Sequence, residues 1–119
     1  MSTPTFSKIR IGIKMSFSSV LVTFPDKDCA KTIAKKVIEK KLAACANMFS
    51  IDSVYRWEGN IQHECEIGCI FKIRSEDFME LSEYVKSIHP YEVPCIVSYE
   101  ISNGTDGYLN WIKESTNRD

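Results

Sequence analysis

Long hydrophobic runs and a strong net charge are both missing from this 119-residue sequence. No apolar stretch approaches the roughly 20 residues that a membrane-spanning helix needs. The formal net charge of −1 lacks the positive balance that attracts a nucleic acid. Hydrophobic residues make up 44% of the chain, which argues against a disordered protein. The composition therefore predicts one folded domain with neither a nucleic acid nor a membrane as its partner.

Catalytic signatures are absent as well. The chain has no glycine-rich loop of the kind that cradles phosphate groups. It also has no Ser-His-Asp or Cys-His arrangement that would activate a nucleophile. We therefore expect a protein that is not an enzyme. Histidine is scarce, with only His63 and His89 in the chain. His63 stands beside Glu64 near a predicted turn and is interpreted as an exposed side chain, which leaves His89 as the sharper candidate for chemistry.

The five cysteines are an odd number, and no secretory hydrophobic segment precedes them. This combination favours a reducing compartment with free thiols, so we expect a cytoplasmic protein. Cys65 and Cys69 lie about 13 Å apart on one strand, at about 3.3 Å per residue. That separation is too long for a disulfide or for two ligands of one ion. Both residues are interpreted as small apolar core residues.

Acidic residues are missing from the chain until Asp26. The basic start is faintly similar to an organelle transit peptide, which keeps an organelle as the alternative to the cytoplasm. The simpler interpretation is an extension or an extra edge strand. We therefore divide the chain into an N-terminal extension, residues 1–15, and a single domain, residues 16–119.

An alternating pattern across residues 51–73 predicts a long β-hairpin. Glu58-Gly59-Asn60 forms its turn, where glycine is available for a positive φ. Each arm could run to about eight residues or more, beyond the usual five or six. Arms of that length project past a small domain, and an unpaired projecting edge invites association. We therefore expect a partner subunit along the hairpin.

The other elements complete a β-α-β-β-α-β order followed by a short helix. They are a strand at 19–24, a helix from Asp26 or Asp28 to 41, a helix capped by Ser75 that ends at His89 before Pro90, a strand at 95–101 and a last helix capped by Asp106. This order is typical of the ferredoxin-like α+β sandwich, which places both long helices on one sheet face. The first strand is apolar on both sides, so both sheet faces should be buried. Copies of the same sheet are the expected cover, which predicts a compact homo-oligomer.

Several motifs stand in order along the chain. They are Leu42-Ala43-Ala44-Cys45-Ala46-Asn47, Tyr55-Arg56-Trp57-Glu58-Gly59, Glu64-Cys65-Glu66, Lys72, His89-Pro90-Tyr91-Glu92-Val93-Pro94, and Gly104 with Tyr108-Leu109-Asn110-Trp111. Over residues 19–113 the sequence resembles the CutA family of divalent-cation tolerance proteins. The resemblance implies a tight homotrimer, like the PII signal-transduction proteins, with clefts between subunits. It also implies copper tolerance and the binding of copper or other divalent metals, without an enzymatic reaction.

The resemblance points to His89 as a metal ligand, and imidazole suits copper and zinc. It also implies a cysteine in the first strand-to-helix turn and a second histidine beside the first. Those two positions hold Val22 and Ile88 in this sequence. Glu64 and Glu66, or groups from a neighbouring subunit, are then the expected partners of His89 in a metal site.

Lys72 shares one strand face with Glu64 and Glu66, because side chains two residues apart point the same way. This face is either the floor of a cleft that binds a small charged ligand or a solvated sheet surface. Glu66 and Lys72 lie about 20 Å apart along the strand, too far to pair directly. Four aromatic side chains are candidates for the same inter-subunit cleft, or else packing anchors of the oligomer: Tyr55, Trp57, Tyr91 and Trp111.

Two functions of different classes follow from these patterns. The first is a homotrimeric, non-enzymatic protein that binds copper and acts in metal homeostasis. The alternative is a PII-like sensor of a small ligand, or a protein-interaction scaffold, with no physiological metal site. A structural trimer with an indirect effect on metal tolerance is a third interpretation.

Overall fold

A computed structural model of the protein describes residues 15–118. The strands are β1 (Phe17–Phe24), β2 (Cys45–Trp57), β3 (Asn60–Arg74) and β4 (Ile96–Ile101), and the helices are α1 (Lys27–Glu39), α2 (Phe78–Ile88) and α3 (Asp106–Ser115). A short 3-10 turn, Ser75–Asp77, joins β3 to α2. The extension predicted at residues 1–15 lies outside the described residues, except for Met15.

The four strands form one antiparallel sheet in the order β2-β3-β1-β4. The two inner strands, β1 and β3, pair with each other, and β2 and β4 form the edges. The sheet order and the chain order together are those of the ferredoxin-like α+β fold, so the predicted fold class is confirmed. α1 and α2 pack on the same face of this sheet.

The hydrophobic core lies between the sheet and these two helices. α1 begins after Asp26, whose carboxylate accepts a hydrogen bond from the backbone N–H of Cys29 at 2.8 Å. Apolar residues then recur at helical spacing and form the buried stripe that the sequence predicts. The fully buried side chains of the core include Val20, Val22, Phe24, Val37, Cys69, Phe71, Ile73, Leu81 and Val85.

The hairpin of β2 and β3 is longer than the alternating pattern indicates. β2 has 13 residues and β3 has 15, because the small residues from Cys45 onward already pair in register with β3. The turn consists of Glu58 and Gly59, with φ of 50° and 83°, and two positive φ angles suit the twist of a tight hairpin. The molecule measures 58 Å by 25 Å by 22 Å, and a strand of this length alone spans about 50 Å.

The second sheet face, here called the open face, carries the residues that alternate with the core residues of each strand. Across it, the ring of Phe49 lies directly over Gly68, so that a Cβ at position 68 would be 2.7 Å from the ring. Glycine is needed there for this close approach. α3 contacts the end of the open face near Lys72. Large side chains on this face stay exposed in the described chain: Phe49, Tyr55, Trp57, Val97 and Tyr99.

Two predicted helix caps are wrong. Ser75 does not cap α2; it begins the 3-10 turn, and its hydroxyl forms a 2.7 Å hydrogen bond with that of Ser18. α2 begins after Asp77 instead. Asp106 is the first residue of α3 rather than its cap, and Thr105 occupies the N-cap position. The observed N-cap is thus two residues after the predicted one at α2 and one residue before it at α3.

The cysteines of residues 15–118 are all free thiols, as expected. Cys69 is fully buried, which confirms its interpretation as a core residue. The same interpretation is wrong for Cys65, which is exposed and donates a 3.4 Å hydrogen bond to Asp52. Cys65 has the core-facing parity but lies on the projecting part of the hairpin. Among these residues no helix is both long enough and apolar enough to span a membrane.

A buried carboxylate ties the C-terminal segment to the rest of the fold. The side chain of Asp77 is only 5% exposed. It accepts a hydrogen bond from Arg74 at 3.1 Å and one from Arg118 at 2.6 Å. Arg118 also donates to the backbone carbonyl of Lys41 at 2.7 Å, just beyond α1. This ion-pair cluster therefore connects β3, the start of α2, the end of α1 and the segment after α3.

Candidate functional site

Two carboxylates predicted as metal ligands lie together on the open face. Glu64 and Glu66 are two residues apart on β3, about 7 Å along the strand. Each accepts a hydrogen bond from a tyrosine: the hydroxyl of Tyr55 donates to Glu64 at 2.8 Å, and that of Tyr91 donates to Glu66 at 2.5 Å. Glu66 is buried, whereas Glu64 is exposed. We call these four residues the acidic cluster.

The tyrosines of the acidic cluster keep their protons at neutral pH. The hydrogen bond to Glu64 raises the pKa of Tyr55 above its ordinary value. Burial, and then the hydrogen bond to Glu66, raise the pKa of Tyr91. Both phenols therefore act as donors to the carboxylates, and each carboxylate retains a second oxygen that a cation could use.

His89 lies beside this cluster at the end of α2, and only 9% of it is exposed. Its Nδ1 accepts the backbone N–H of Tyr91 at 3.0 Å, so Nε2 carries the proton and donates to the carbonyl of Thr23 at 2.8 Å. The imidazole stacks on Phe24, with ring centroids 4.9 Å apart. Burial lowers the pKa of His89, against opposing effects of the Thr23 hydrogen bond and of Glu66. The ring is therefore neutral at physiological pH.

Tyr91 connects the imidazole to the acidic cluster, since its backbone binds His89 and its hydroxyl binds Glu66. A neutral imidazole and carboxylate oxygens are suitable ligands for a divalent cation. Both nitrogens of His89 are engaged in hydrogen bonds, so a metal ion has to displace one of them. Within residues 15–118 no three His, Cys, Asp or Glu side chains are close enough to hold an ion. The described part of one chain therefore does not by itself form a three-ligand metal site.

The two positions where the resemblance implies further ligands have structural roles here. Val22 is fully buried in the core, and Ile88 is partly buried and packs against that core. Neither position offers a metal ligand.

A second polar group, here called the lysine cluster, lies at the other end of the open face. Lys72 Nζ donates to Asn47 Oδ1 at 3.1 Å and stands 5.9 Å from the ring centroid of Tyr108. The thiol of Cys45 donates to the same Asn47 oxygen at 3.6 Å and lies 3.5 Å from the hydroxyl of Tyr108. These four residues form the lysine cluster, and the ring of Trp111 lies beside it, 5.6 Å from that of Tyr108.

The sequence predicts one cleft, but the described chain separates its residues into two groups. Tyr55 and Tyr91 belong to the acidic cluster, while Lys72 and Trp111 lie at the lysine cluster. Trp57 is near the hairpin turn, 39% exposed, and belongs to neither group. Lys72 and Glu66 are about 20 Å apart along β3.

Three members of the lysine cluster were not predicted as site residues: Cys45, Asn47 and Tyr108. The register of the hairpin is the signal that could have identified Cys45 as a neighbour of Lys72. Counting outward from the pair Trp57–Asn60 places Cys45 opposite Lys72, and side chains opposite one another in a sheet are close neighbours. Tyr108 comes from α3, whose position over the sheet has no comparable signal in the sequence.

Of two shallow concavities in the described chain, one is lined in part by Glu66 of the acidic cluster. One shallow concavity of about 330 Å³ lies at the base of the hairpin, lined among others by Asp26, Asp52 and Cys65. Another of about 330 Å³ lies at α1, lined among others by Cys29 and the partly buried Ile88. Neither is lined by His89 or Lys72. The open face of one chain is thus a surface that a second subunit would have to convert into a cleft.

Comparisons with known proteins agree with one another. The sequence model of the CutA1 divalent ion tolerance protein family matches residues 18–115. The chain is similar to the divalent-cation tolerance protein CutA of Thermus thermophilus, with 42% identity over 82% of this chain and 95% of that protein. It is also 41% identical to the chloroplastic protein CutA of Arabidopsis thaliana, over 82% of this chain and 54% of that protein. A solved structure, the periplasmic divalent cation tolerance protein CutA from Archaeoglobus fulgidus, superposes with a TM-score of 0.83 at 42% identity, over 85% of this chain and 99% of that one.

Proposed function

The chain belongs to the CutA1 family of divalent ion tolerance proteins, and on that premise we propose that it is a homotrimer that binds a divalent cation, copper first, and acts in metal homeostasis. The observation that carries this proposal is the connection of a neutral, buried imidazole at His89 to the carboxylate of Glu66 through Tyr91. The role is one of binding rather than of catalysis, since the family is named for ion tolerance and not for a reaction.

His89, Glu64 and Glu66 are the proposed ligands within one subunit. Imidazole nitrogen binds copper strongly among the divalent first-row metals, and the carboxylates would balance the charge of the ion. Nδ1 is the nitrogen that becomes available if the Tyr91 N–H turns away, because Nε2 carries the proton. A neighbouring subunit is proposed to complete the coordination.

The proposed trimer would cover the open face. Its exposed aromatic side chains and the long hairpin are apolar surface that a monomer leaves in water. Lys72, Tyr55, Tyr91, Trp57 and Trp111 are proposed to line, or to pack around, clefts between subunits. This arrangement would enclose the two clusters that one chain leaves open.

The proposed location is the cytoplasm, because the cysteines of residues 15–118 are free thiols. An organelle is the alternative, in keeping with the basic sequence of residues 1–15 and with a relative named chloroplastic. The division into an extension, residues 1–15, and one domain, residues 16–119, remains our proposal.

Native mass spectrometry with a small excess of copper tests assembly and binding together. A mass of three subunits with one copper per subunit is expected. His89→Ala should weaken copper binding at least about tenfold by calorimetry, because the only imidazole of the site is lost. His63→Ala is the matched control, since His63 is exposed on the hairpin. Equal copper affinity in the His89 variant and the wild type would contradict the proposed site.

A second candidate function is a PII-like sensor or interaction scaffold, which binds a small charged ligand and has no physiological metal. The lysine cluster favours it, because Lys72 presents a cation on the open face that no carboxylate of residues 15–118 pairs with. A trimer that takes up no stoichiometric copper, together with ligand binding that depends on Lys72 and ignores chelators, would favour this function over the first.

A further inference from the structure

Lys72 has an uncompensated positive charge. It lies near the end of the inner strand β3, and its side chain is half-buried on the open face. No carboxylate of residues 15–118 forms an ion pair with it. Its contacts are the amide oxygen of Asn47 and the ring of Tyr108, which are neutral groups. Removing an ammonium from water without an anion beside it is costly, so this one indicates a place for an anion that residues 15–118 do not supply.

The neighbours of Lys72 hold it in place and add further donors. Asn47 Oδ1 accepts from both Lys72 and Cys45, which directs the amide NH₂ of Asn47 away from these two groups. The hydrogen bond with Cys45, together with burial, raises the pKa of Tyr108 to about 12. The phenol is therefore protonated at neutral pH and donates to the Cys45 sulfur, a weak acceptor, from which the O–H can turn to donate to an anion. One ammonium and one phenol thus lie at the same end of the sheet, and the Asn47 oxygen holds the ammonium there.

An apolar wall stands beside these donors. The ring of Trp111 lies 5.6 Å from that of Tyr108 and is 44% exposed. Aromatic surface next to a few convergent polar groups is typical of a site for a small organic molecule. The carboxylates of the acidic cluster are about 20 Å away along β3, well beyond the screening length of about 8 Å at physiological salt. They would not repel an anion bound at Lys72.

We propose that Lys72, Asn47 and Tyr108 form a binding site for a small organic anion whose carboxylate or phosphate group contacts the ammonium. Charge-assisted hydrogen bonds from the ammonium, with the phenol as an additional donor, suit either oxyanion. Trp111 would contact the carbon skeleton of the ligand. The inference rests on the second proposed function and is independent of the copper site.

Calorimetric titration of the full chain, freed of metal with a chelator, tests this site with two probes. Succinate represents carboxylates, and inorganic phosphate represents phosphoryl groups, both at constant ionic strength. Saturable binding of at least one probe is expected, and the probe that binds more tightly identifies the anion class. Lys72→Met should weaken that binding at least about tenfold, or about 1.4 kcal/mol, because the charge is lost. Lys72→Arg should stay within about threefold of the wild type, because it retains the charge.

Two further variants keep the result interpretable. Lys35→Met removes an exposed lysine from α1, on the other side of the sheet, and should leave binding unchanged. Tyr108→Phe deletes a single hydroxyl and should weaken binding about threefold even if Lys72→Met fails to assemble. No saturable binding of either probe, or equal affinity in Tyr108→Phe, Lys35→Met and the wild type, overturns the proposal. His89→Ala should bind the anion normally, and Tyr108→Phe should bind copper normally, so the two sites succeed or fail separately.

Discussion

At the scale of single residues, the tautomer of His89 decides what this side chain can do. Its two hydrogen bonds place the proton on Nε2 and leave the lone pair of Nδ1 facing the Tyr91 amide. Protonation of Nδ1 would place its N–H against the backbone N–H of Tyr91, and both groups are donors. It would also put a positive charge on a buried ring. The folded protein therefore holds His89 in the neutral form, which is also the form that binds metals.

This environment predicts how stability depends on pH. The pKa of His89 is lowered on folding from about 6.5, so its contribution to stability is fully present above about pH 6.5 and is lost as the pH falls through the folded value. His89→Gln, studied with a chelator present, should reduce the loss of stability between about pH 7 and pH 5. Urea denaturation at both pH values measures this. His63→Gln is the control, and an unchanged pH dependence in the His89 variant would refute the assignment.

The candidate residues His89, Glu64, Glu66 and Lys72 can be recognised in the sequence, but their contacts cannot. Strand periodicity places Glu64 and Glu66 on one face, which the register confirms. The hydrogen bond from the Tyr91 hydroxyl to Glu66 depends on the path of the loop after α2. The local sequence does not predict that path. For the same reason, the imidazole is identified as a candidate while its two hydrogen-bond partners are not.

At the scale of elements, the register of the hairpin is set by its turn. A turn of two residues, Glu58 and Gly59, pairs Trp57 with Asn60, whereas a three-residue turn as predicted shifts every later pair. A positive φ is uncommon for a residue with a Cβ, such as Glu58. The sequence therefore does not indicate that Glu58 and Gly59 alone form the turn. The strands and their faces were therefore predictable, but the cross-strand neighbours of Lys72 were not.

The junction between β3 and α2 depends on one carboxylate. Asp77 is nearly fully buried and pairs with Arg74, which is mostly buried, and with Arg118, which is exposed. Asp77→Ala should destabilise the fold by about 2 kcal/mol, below the usual cost for a fully buried pair because the arginines retain some solvent. Chemical denaturation measures the change.

Glu76→Ala is the matched control for this junction. Glu76 is exposed and 3.9 Å from Arg74, so its loss should cost less than about 0.5 kcal/mol. If the two variants are equally stable, the ion-pair cluster does not secure the C-terminal segment.

At the scale of the whole molecule, the described chain leaves large apolar side chains exposed to solvent on one sheet face. The core under α1 and α2 is closed, yet the open face exposes aromatic side chains along a hairpin that extends far beyond the helices. Strand β1 shows the conflict: Val20 and Val22 are fully buried, while Leu21 between them reaches the open face and is only partly covered. The sequence predicts burial on both sides, and the proposed assembly would cover the side that the described chain leaves open.

Trp57 tests whether assembly provides that cover. Its indole lies near the hairpin turn, where residues 15–118 provide little packing, and it is 39% exposed. If it anchors a neighbouring subunit, Trp57→Ala should cost at least about 2 kcal/mol of association free energy per contact. The proposed trimer should then dissociate at low concentration, or melt at a lower temperature, because folding and assembly would be linked.

Light scattering after gel filtration, combined with thermal denaturation, measures both effects. Val54→Ala is the control, because Val54 lies on the same strand with the opposite parity and is 67% exposed. Its loss should change stability by less than about 0.5 kcal/mol. A Trp57 variant that remains trimeric with an unchanged melting temperature shows that the hairpin is not an anchor. Cover for the open face would then have to come from contacts nearer the middle of the sheet, around Phe49 and Val97.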